Sequence, residues 1–321
     1  MRVRLTVFLN GTTEMAERRI DPATGTETVG HEWDGIEELD TPMPRWWLYT
    51  LYATIIFSIG YCIAYPAWPL INRATAGVLG WSSHKQLVDE LAVEGTRKAP
   101  MRLALSRIAI ERLPADLRLT QAAIEGGSAA FKVHCVQCHG SGAAGSKGYP
   151  NLNDDDWLWG GNIKEIHQTL VDGIRQPGND QTRTSQMPAF GRGGILQPAQ
   201  INDTVSFVRL LARKEPANAS ARRGATLFAD NCAACHGPDG KGLRLLGAPN
   251  LTDAIWLYGG DREALTQTIA NSRYGAMPAW GQRLDPVTVK MLAVYVHSLG
   301  GGEAFVPEAP PVAATATNGQ R

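Results

Sequence analysis

Two pentapeptides carry the clearest chemistry in this 321-residue chain: Cys135-Val136-Gln137-Cys138-His139 and Cys232-Ala233-Ala234-Cys235-His236. Both read C-x-x-C-H, the spacing of covalent c-type haem attachment. On one helical turn the two sulfurs reach the two vinyl groups of one porphyrin, and the adjacent histidine stands over the iron. Zinc also takes Cys and His ligands, and a C-x-x-C pair is also a redox motif. Neither alternative accounts for a methionine that recurs with each pentapeptide. Met187 follows His139 by 48 residues and Met277 follows His236 by 41, each opening a Met-Pro-Ala-aromatic-Gly run. His plus Met is the axial pair of electron-transfer cytochromes c, with Met raising the potential. The expected iron ligands are therefore His139, Met187, His236 and Met277. Cys135, Cys138, Cys232 and Cys235 are expected to attach two haems c. With both irons six-coordinate, no catalytic residue is expected. A lone methionine is more often core packing, and it is the repeated context that separates these two from Met1, Met15, Met43, Met101 and Met291.

The flanking sequence repeats as well. Gly127 and Phe131 recur 97 residues later as Gly224 and Phe228. Pro150-Asn151-Leu152 recurs as Pro249-Asn250-Leu251, Trp157 as Trp256, Gly160-Gly161 as Gly259-Gly260, and Phe207 as Tyr295. Two domains follow, at 120–214 and 218–302. Each reads as three helices: Gln121–His134, Ile163–Ile174 and Pro198–Arg213 in the first, Ala221–Asn231, Arg262–Asn271 and Pro286–Leu299 in the second. Asn162 and Asp261 are the expected N-caps of the middle helices. A mid-helix glycine costs about 1 kcal/mol against alanine, so Gly127 and Gly224 are expected to permit close crossing of first and last helices, at Phe207 and Tyr295. The spacings let each methionine fold over the haem of its own repeat, which is the default. Equivalent loops also permit exchange, with Met187 at the second haem and Met277 at the first. Trp157 and Trp256 either pack in the core or against haem, and Arg175 and Arg273 either pair with propionates or face solvent. His31, His84, His134, His167 and His297 have no histidine counterparts and are not expected to bind iron.

The elements that position these sites start with a membrane anchor. Between Arg45 and Arg73 there is no charge, and Trp46–Tyr65 alone supplies the roughly 20 apolar residues a span needs. Trp46, Trp47 and Tyr49 at one end and Tyr61, Tyr65 and Trp68 at the other form two aromatic belts. The expected span is 46–71, with Cys62 a packing residue within it. The first ten residues lack a signal h-region and cleavage site. Residues 72–119 read as an amphipathic linker, broken at Pro100, and 303–321 as a Pro/Ala-rich disordered tail. Lys+Arg and Asp+Glu are 31 each, so there is no basic excess for nucleic acid. Because bacteria attach haem c outside the cytoplasm, the expected topology is a single pass through the inner membrane and its lipid, with haem domains in the periplasm and residues 1–45 in the cytoplasm. The fold class is mainly α: one N-terminal transmembrane helix followed by two tandem class I cytochrome c domains.

The segment before the span is more specific than the haem motifs. His31-Glu32-Trp33-Asp34-Gly35-Ile36-Glu37-Glu38-Leu39-Asp40-Thr41-Pro42-Met43-Pro44-Arg45-Trp46-Trp47, with Gly80-Trp81-Ser82-Ser83 after the span, resembles the dihaem subunit III of cbb3-type cytochrome c oxidases, the CcoP/FixP family. The resemblance covers about residues 30–302. It implies a non-catalytic subunit that passes electrons from a soluble periplasmic cytochrome c donor toward a monohaem cytochrome c subunit and a haem b/copper catalytic subunit. That core reduces oxygen to water and pumps protons in aerobic or microaerobic respiration. The alternative is a membrane dihaem cytochrome c serving a periplasmic dehydrogenase, which would share the haem domains but not the N-terminal signature. A dihaem peroxidase needs an open iron, which two Met-Pro copies argue against, and nothing resembles the output domain of a gas sensor.

Overall fold

A computed structural model of the chain describes residues 18–306, so the expectation about residues 1–10 and most of the expected tail, 307–321, lie outside the described residues. The described residues form two compact units that divide between Glu94 and Gly95.

In the first unit a two-stranded antiparallel hairpin, β1 (Thr28–Trp33) and β2 (Ile36–Leu39), pairs Trp33 with Ile36. Asp34 and Gly35 between them both have positive φ, 51° and 83°. That is the demand of a type I′ turn, which Asp-Gly meets. Arg19 Nε donates to both Glu37 carboxylate oxygens, at 2.9 and 2.7 Å. α1 (Arg45–Ala64) has 20 residues, about 30 Å at 1.5 Å per residue, the thickness of a hydrocarbon core. None of its side chains is buried within the protein. Its hydroxyls turn inward: Thr50 donates to Trp46 O, Thr54 to Leu51 O and Ser58 to Thr54 O, at 3.0, 2.8 and 2.7 Å. This removes unpaired donors from an apolar surface.

The span was expected to reach residue 71, but α1 stops at Ala64. Tyr65 is extended ahead of Pro66, the conformation that a following proline favours. The chain just beyond the charge-free run folds back to cap the helix. Val78 N donates to Ile63 O and Leu79 N to Ala64 O, at 2.9 and 3.1 Å. Gly77 makes that return possible, since a Cβ there would lie 2.5 Å from Ala64 O.

α2 (Ser83–Arg107) runs unbroken through Pro100, contrary to the expected break. Residues beyond the proline are fixed from outside the helix. Leu105 is fully buried in the second unit, and Lys290 Nζ donates to Leu105 O and Ile108 O at 2.8 and 2.7 Å. A cation at the carbonyl end complements the helix dipole. A short 3-10 segment (Ile110–Ala115) adds buried Ile110 and Leu113 to the same core. This stretch is therefore part of the folded second unit as well as a linker.

The remaining helices of the second unit are α3 (Leu117–His134), α4 (Val136–His139), α5 (Ile163–Asp172), α6 (Pro198–Leu211), α7 (Ala219–Asn231), α8 (Ala233–His236), α9 (Arg262–Asn271) and α10 (Pro286–His297). Asn162 and Asp261 cap α5 and α9 as expected, accepting backbone N–H bonds at 2.8–3.1 Å. Two hydrophobic cores result, and neither respects the expected division at 214–218. One joins Phe131 of α3, Ile163, Ile166 and Leu170 of α5, and Val289, Leu292, Val294 and Val296 of α10. The other joins Ile201, Val205 and Val208 of α6, Phe228 of α7, and Leu265 and Ile269 of α9. The last helix of each repeat thus packs on the first helix of the other. The glycines locate both crossings. A Cβ on Gly127 would lie 2.2 Å from Met291 O and 2.6 Å from Tyr295 Cβ; one on Gly224 would lie 2.0 Å from Asp203 O and 2.9 Å from Phe207 Cβ.

The connection between repeats explains the exchange. Only residues 212–218 separate α6 from α7, and short connections make consecutive helices antiparallel neighbours. Glu215 in that connection accepts from Arg209 and Arg262 at 3.1 and 2.6 Å. Buried Asp203 of α6 takes two bonds from Arg223 of α7, at 2.7 Å each, and one from Ser220 at 2.5 Å. With α6 held on the second repeat, α10 closes on α3.

The start of the expected tail is docked rather than disordered. Glu303 N donates to Gly161 O at 2.9 Å, and its carboxylate accepts from Gly161 N and Arg244, both at 2.8 Å.

Candidate haem-binding sites

Each C-x-x-C-H pentapeptide forms a single helical turn directly after a long helix. Cys135 and Cys232 are the C-caps of α3 and α7, and α4 and α8 carry Cys138-His139 and Cys235-His236. The first cysteine of each pair is turned inward, Cys135 buried and Cys232 half-buried, and the second is exposed. Burial pushes the free thiols of Cys135 and Cys232 up to about 11.

The histidines are oriented alike in both sites. His139 Nδ1 lies 3.1 Å from Pro150 O, and His236 Nδ1 lies 3.1 Å from Pro249 O. A carbonyl oxygen only accepts, so Nδ1 carries the proton and Nε2 presents its lone pair. This is the usual outer-shell orientation of a metal-binding histidine. Burial lowers both imidazole pKa values and favours the neutral ring. The Pro-Asn-Leu repeat was visible in the sequence, but its use as a histidine orienter was not.

The methionine loops follow the exchanged helices. Met277 packs on the core that contains Cys135, Phe131 and the partly buried Trp157. Met187 packs on the core that contains Phe228 and the partly buried Cys232 and Trp256. Backbone bonds fix both crossings. Met277 and Ile174 exchange N–H···O bonds at 2.9 and 3.0 Å, while Phe190 N and Gly191 N donate to Ile269 O and Ala270 O at 3.1 Å each. Ser272 Oγ also donates to Met187 O. Each C-x-x-C-H turn therefore shares a core with the methionine of the other repeat, the neighbourhood that exchanged rather than local pairing requires.

The two tryptophans differ. Trp157 Nε1 donates to Gly301 O at 2.7 Å. Trp256 Nε1 is buried and has no acceptor among the described residues. An orphaned buried N–H is costly, by about 1–3 kcal/mol, and points to an acceptor supplied by a bound group. Haem brings such acceptors in its propionates. Arg175 and Arg273 are half-buried and bond backbone carbonyls. Among the histidines without repeat counterparts, the His134 ring packs at a tilt on Trp280 and His297 Nε2 bonds Glu303 O at 2.8 Å.

The chain is similar to known cytochrome oxidase subunits over most of its length. Residues 25–72 match the family described as the N-terminal domain of cytochrome oxidase-cbb3, FixP; residues 124–212 match cytochrome c; and residues 219–296 match cytochrome c oxidase, cbb3-type, subunit III. The cbb3-type cytochrome c oxidase subunit CcoP of Cereibacter sphaeroides is 53% identical over 276 residues, 86% of this chain and 95% of that protein. The FixP subunits of Sinorhizobium medicae and Bradyrhizobium diazoefficiens are each 50% identical, over 89% and 88% of this chain and 98% of each relative. The chain belongs to the CcoP/FixP family of cbb3-type oxidase subunits. The match to the N-terminal segment favours this membership over a dehydrogenase cytochrome, as the signature at residues 31–47 implied. Two cytochrome c domains in a CcoP/FixP chain correspond to two covalently bound haems c. α1 is the one helix among the described residues long and apolar enough to cross a membrane, which suits a membrane-bound oxidase subunit.

Proposed function

We propose that this chain is the electron-entry subunit of a cbb3-type oxidase, taking electrons from a soluble periplasmic cytochrome c. It passes them to the monohaem cytochrome c subunit and the haem b/copper catalytic subunit. The observation that carries this reading is that each core brings one Cys-x-x-Cys-His turn together with one Met-Pro loop. Cys135 and Cys138 hold the first haem and Cys232 and Cys235 the second. His139 and His236 through Nε2, and Met277 and Met187 through their thioethers, would ligate the irons, Met277 beside the first attachment turn and Met187 beside the second. Each haem iron supplies a one-electron couple. The chain's own residues do the rest. Burial keeps both imidazoles neutral and the prolyl carbonyls aim them, the apolar cores exclude water from the ligands, and the Trp256 N–H would donate to a propionate. With a histidine and a methionine of the chain on each iron, neither would be open to oxygen, and this subunit does not itself reduce it. The haem domains lie in the periplasm and the segment before α1 in the cytoplasm, with α1 crossing the inner membrane once.

The test separates the subunit from its complex. Purified alone in detergent, the chain should accept electrons from a reduced soluble cytochrome c yet consume no oxygen. Adding back the remaining oxidase subunits should restore oxygen uptake. Rapid oxygen reduction by the isolated chain would overturn the non-catalytic role. Protease added outside spheroplasts should cleave the haem domains and spare the segment before α1; the reverse pattern would overturn the topology.

A further inference from the structure

Arg175 stands just past α5, in a left-handed conformation with φ 51°. Its neighbour Ile174 pairs with Met277, so the guanidinium lies where the two repeats exchange. Nε donates to Gly275 O at 2.7 Å and Nη1 to Ser185 O at 2.6 Å. Gly275 is two residues before Met277, and Ser185 is two residues before Met187. One planar fork therefore grips both methionine loops at the same offset. Arg175 also lies over the Tyr274 ring, 5.8 Å from its centroid, and forms no carboxylate ion pair among the described residues. Arg273, the arginine that follows α9, does not reproduce this. Arg273 bonds Ala264 O at 3.0 Å and Tyr258 O at 3.4 Å, both within its own repeat. Among the described residues, Arg175 is the cation bonded to both loops.

The geometry points to Arg175 as a positioning residue that couples the two distal-ligand loops, so that its loss loosens methionine ligation at both irons together. This rests on Met187 and Met277 being the ligands. Arginine suits the role because five donors in a rigid plane can serve two carbonyls at once. Lysine, a point charge on a flexible stem, keeps the charge but not the fork. The coupling needs no contact between Arg175 and either haem.

The experiment uses the full-length haem-loaded chain. Arg175→Ala, Arg175→Lys and Arg273→Ala are compared by the methionine–iron charge-transfer absorption of each haem, by carbon monoxide binding to the reduced protein, and by the two potentials. Arg175→Ala should tighten apparent carbon monoxide binding by roughly tenfold or more at both irons, the weight of one charge-assisted hydrogen bond at each loop. Both charge-transfer bands should weaken. Arg175→Lys should show the same two-site effect at smaller amplitude, and is the deciding variant if the alanine protein does not accumulate. Arg273→Ala should disturb one site at most. An Arg175→Lys protein with both bands and both potentials unchanged, or with a change at one iron alone, overturns the coupling. Met187→Leu and Met277→Leu run alongside. If neither removes a band, the ligand assignment has failed; if each removes one and the Arg175 variants leave both, only the coupling has failed.

Discussion

The exchanged arrangement makes a prediction in which local and crossed ligation give opposite answers. In a chain carrying Cys232→Ser and Cys235→Ser, only the first haem is attached, at Cys135 and Cys138. Met277→Leu in that background should strip the remaining iron of its methionine, and Met187→Leu should not. The structure separates the electronic effect from damage to the fold. The Met277 backbone is held by two hydrogen bonds to Ile174, at 2.9 and 3.0 Å, which leucine retains. Gly173 has φ 69° and lies so close that a Cβ would sit 2.5 Å from Met277 O, so the loop is tightly seated. Met-to-Leu is volume-conserving, and such core swaps cost under about 1.5 kcal/mol. Losing the thioether should lower the potential by on the order of 0.1 V, within the wide range that axial ligands span. For one electron that is about 2.3 kcal/mol, or roughly 50-fold in the electron-transfer equilibrium. Potentiometric titration with far-red absorption reads both quantities, and a thermal melt confirms the fold. If Met187→Leu removes the first haem's thioether and Met277→Leu leaves it, the crossed assignment is wrong.

Other expected outcomes bear on the packing around the sites. Gly127→Ala and Gly224→Ala should each destabilise the second unit: alanine gains about 1 kcal/mol of helix propensity, but contacts of 2.2 and 2.0 Å to backbone oxygen force the helices apart at a cost of about 1–3 kcal/mol or more. A rise in melting temperature for either variant would refute the close crossings. Bonds from Arg223 and Ser220 hold the Asp203 carboxyl below its usual range, so it contributes stability above the ordinary carboxylate pKa that is lost as pH falls through the depressed folded value. Asp203→Asn should therefore melt lower at neutral pH, with the gap closing below about pH 4; a gap constant with pH would show that the ion pair is not its source. Trp256→Phe should lower the potential of the second haem and leave the first unchanged, because among the described residues only Trp256 has an uncommitted buried side-chain N–H. Equal shifts at both haems would remove that role.

Much of this was legible in the sequence because the chemistry is local. The C-x-x-C-H turns, the Met-Pro loops, the caps Asn162 and Asp261 and the apolar span each depend on residues close together in the chain. Apart from the early end of α1 ahead of Pro66, the failures involve distant partners. Pro100 reads as a helix break, but Lys290 binds the carbonyls at the end of that helix from about 185 residues away. Glu303 reads as the start of a disordered tail, yet its carboxylate fits the backbone N–H of Gly161. The Trp33-Asp34-Gly35 stretch was specific as a signature, but its local purpose, a hairpin turn with two left-handed residues, emerges only from the backbone. Composition does not report such long-range fits.

The helix exchange is a deeper case, since the repeat itself conceals it. Gly127 fits a helix with an aromatic residue at the position of Phe207 or Tyr295, and the repeat supplies both. The Phe131 ring packs at a tilt 5.3 Å from Tyr295 and the Phe228 ring 5.2 Å from Phe207, so the two crossings are nearly interchangeable. What breaks the degeneracy lies outside the repeated positions: a seven-residue connection, Glu215 within it, and the Asp203–Arg223 pair. These act on α6 alone and settle α10 by default. Each C-x-x-C-H turn then shares a core with a methionine loop and a closing helix that come from the other repeat. Neither repeat can be altered at its last helix without disturbing the core that surrounds the other repeat's haem-attachment turn. The two sites are thereby one folding unit, although the sequence presents them as two domains in series.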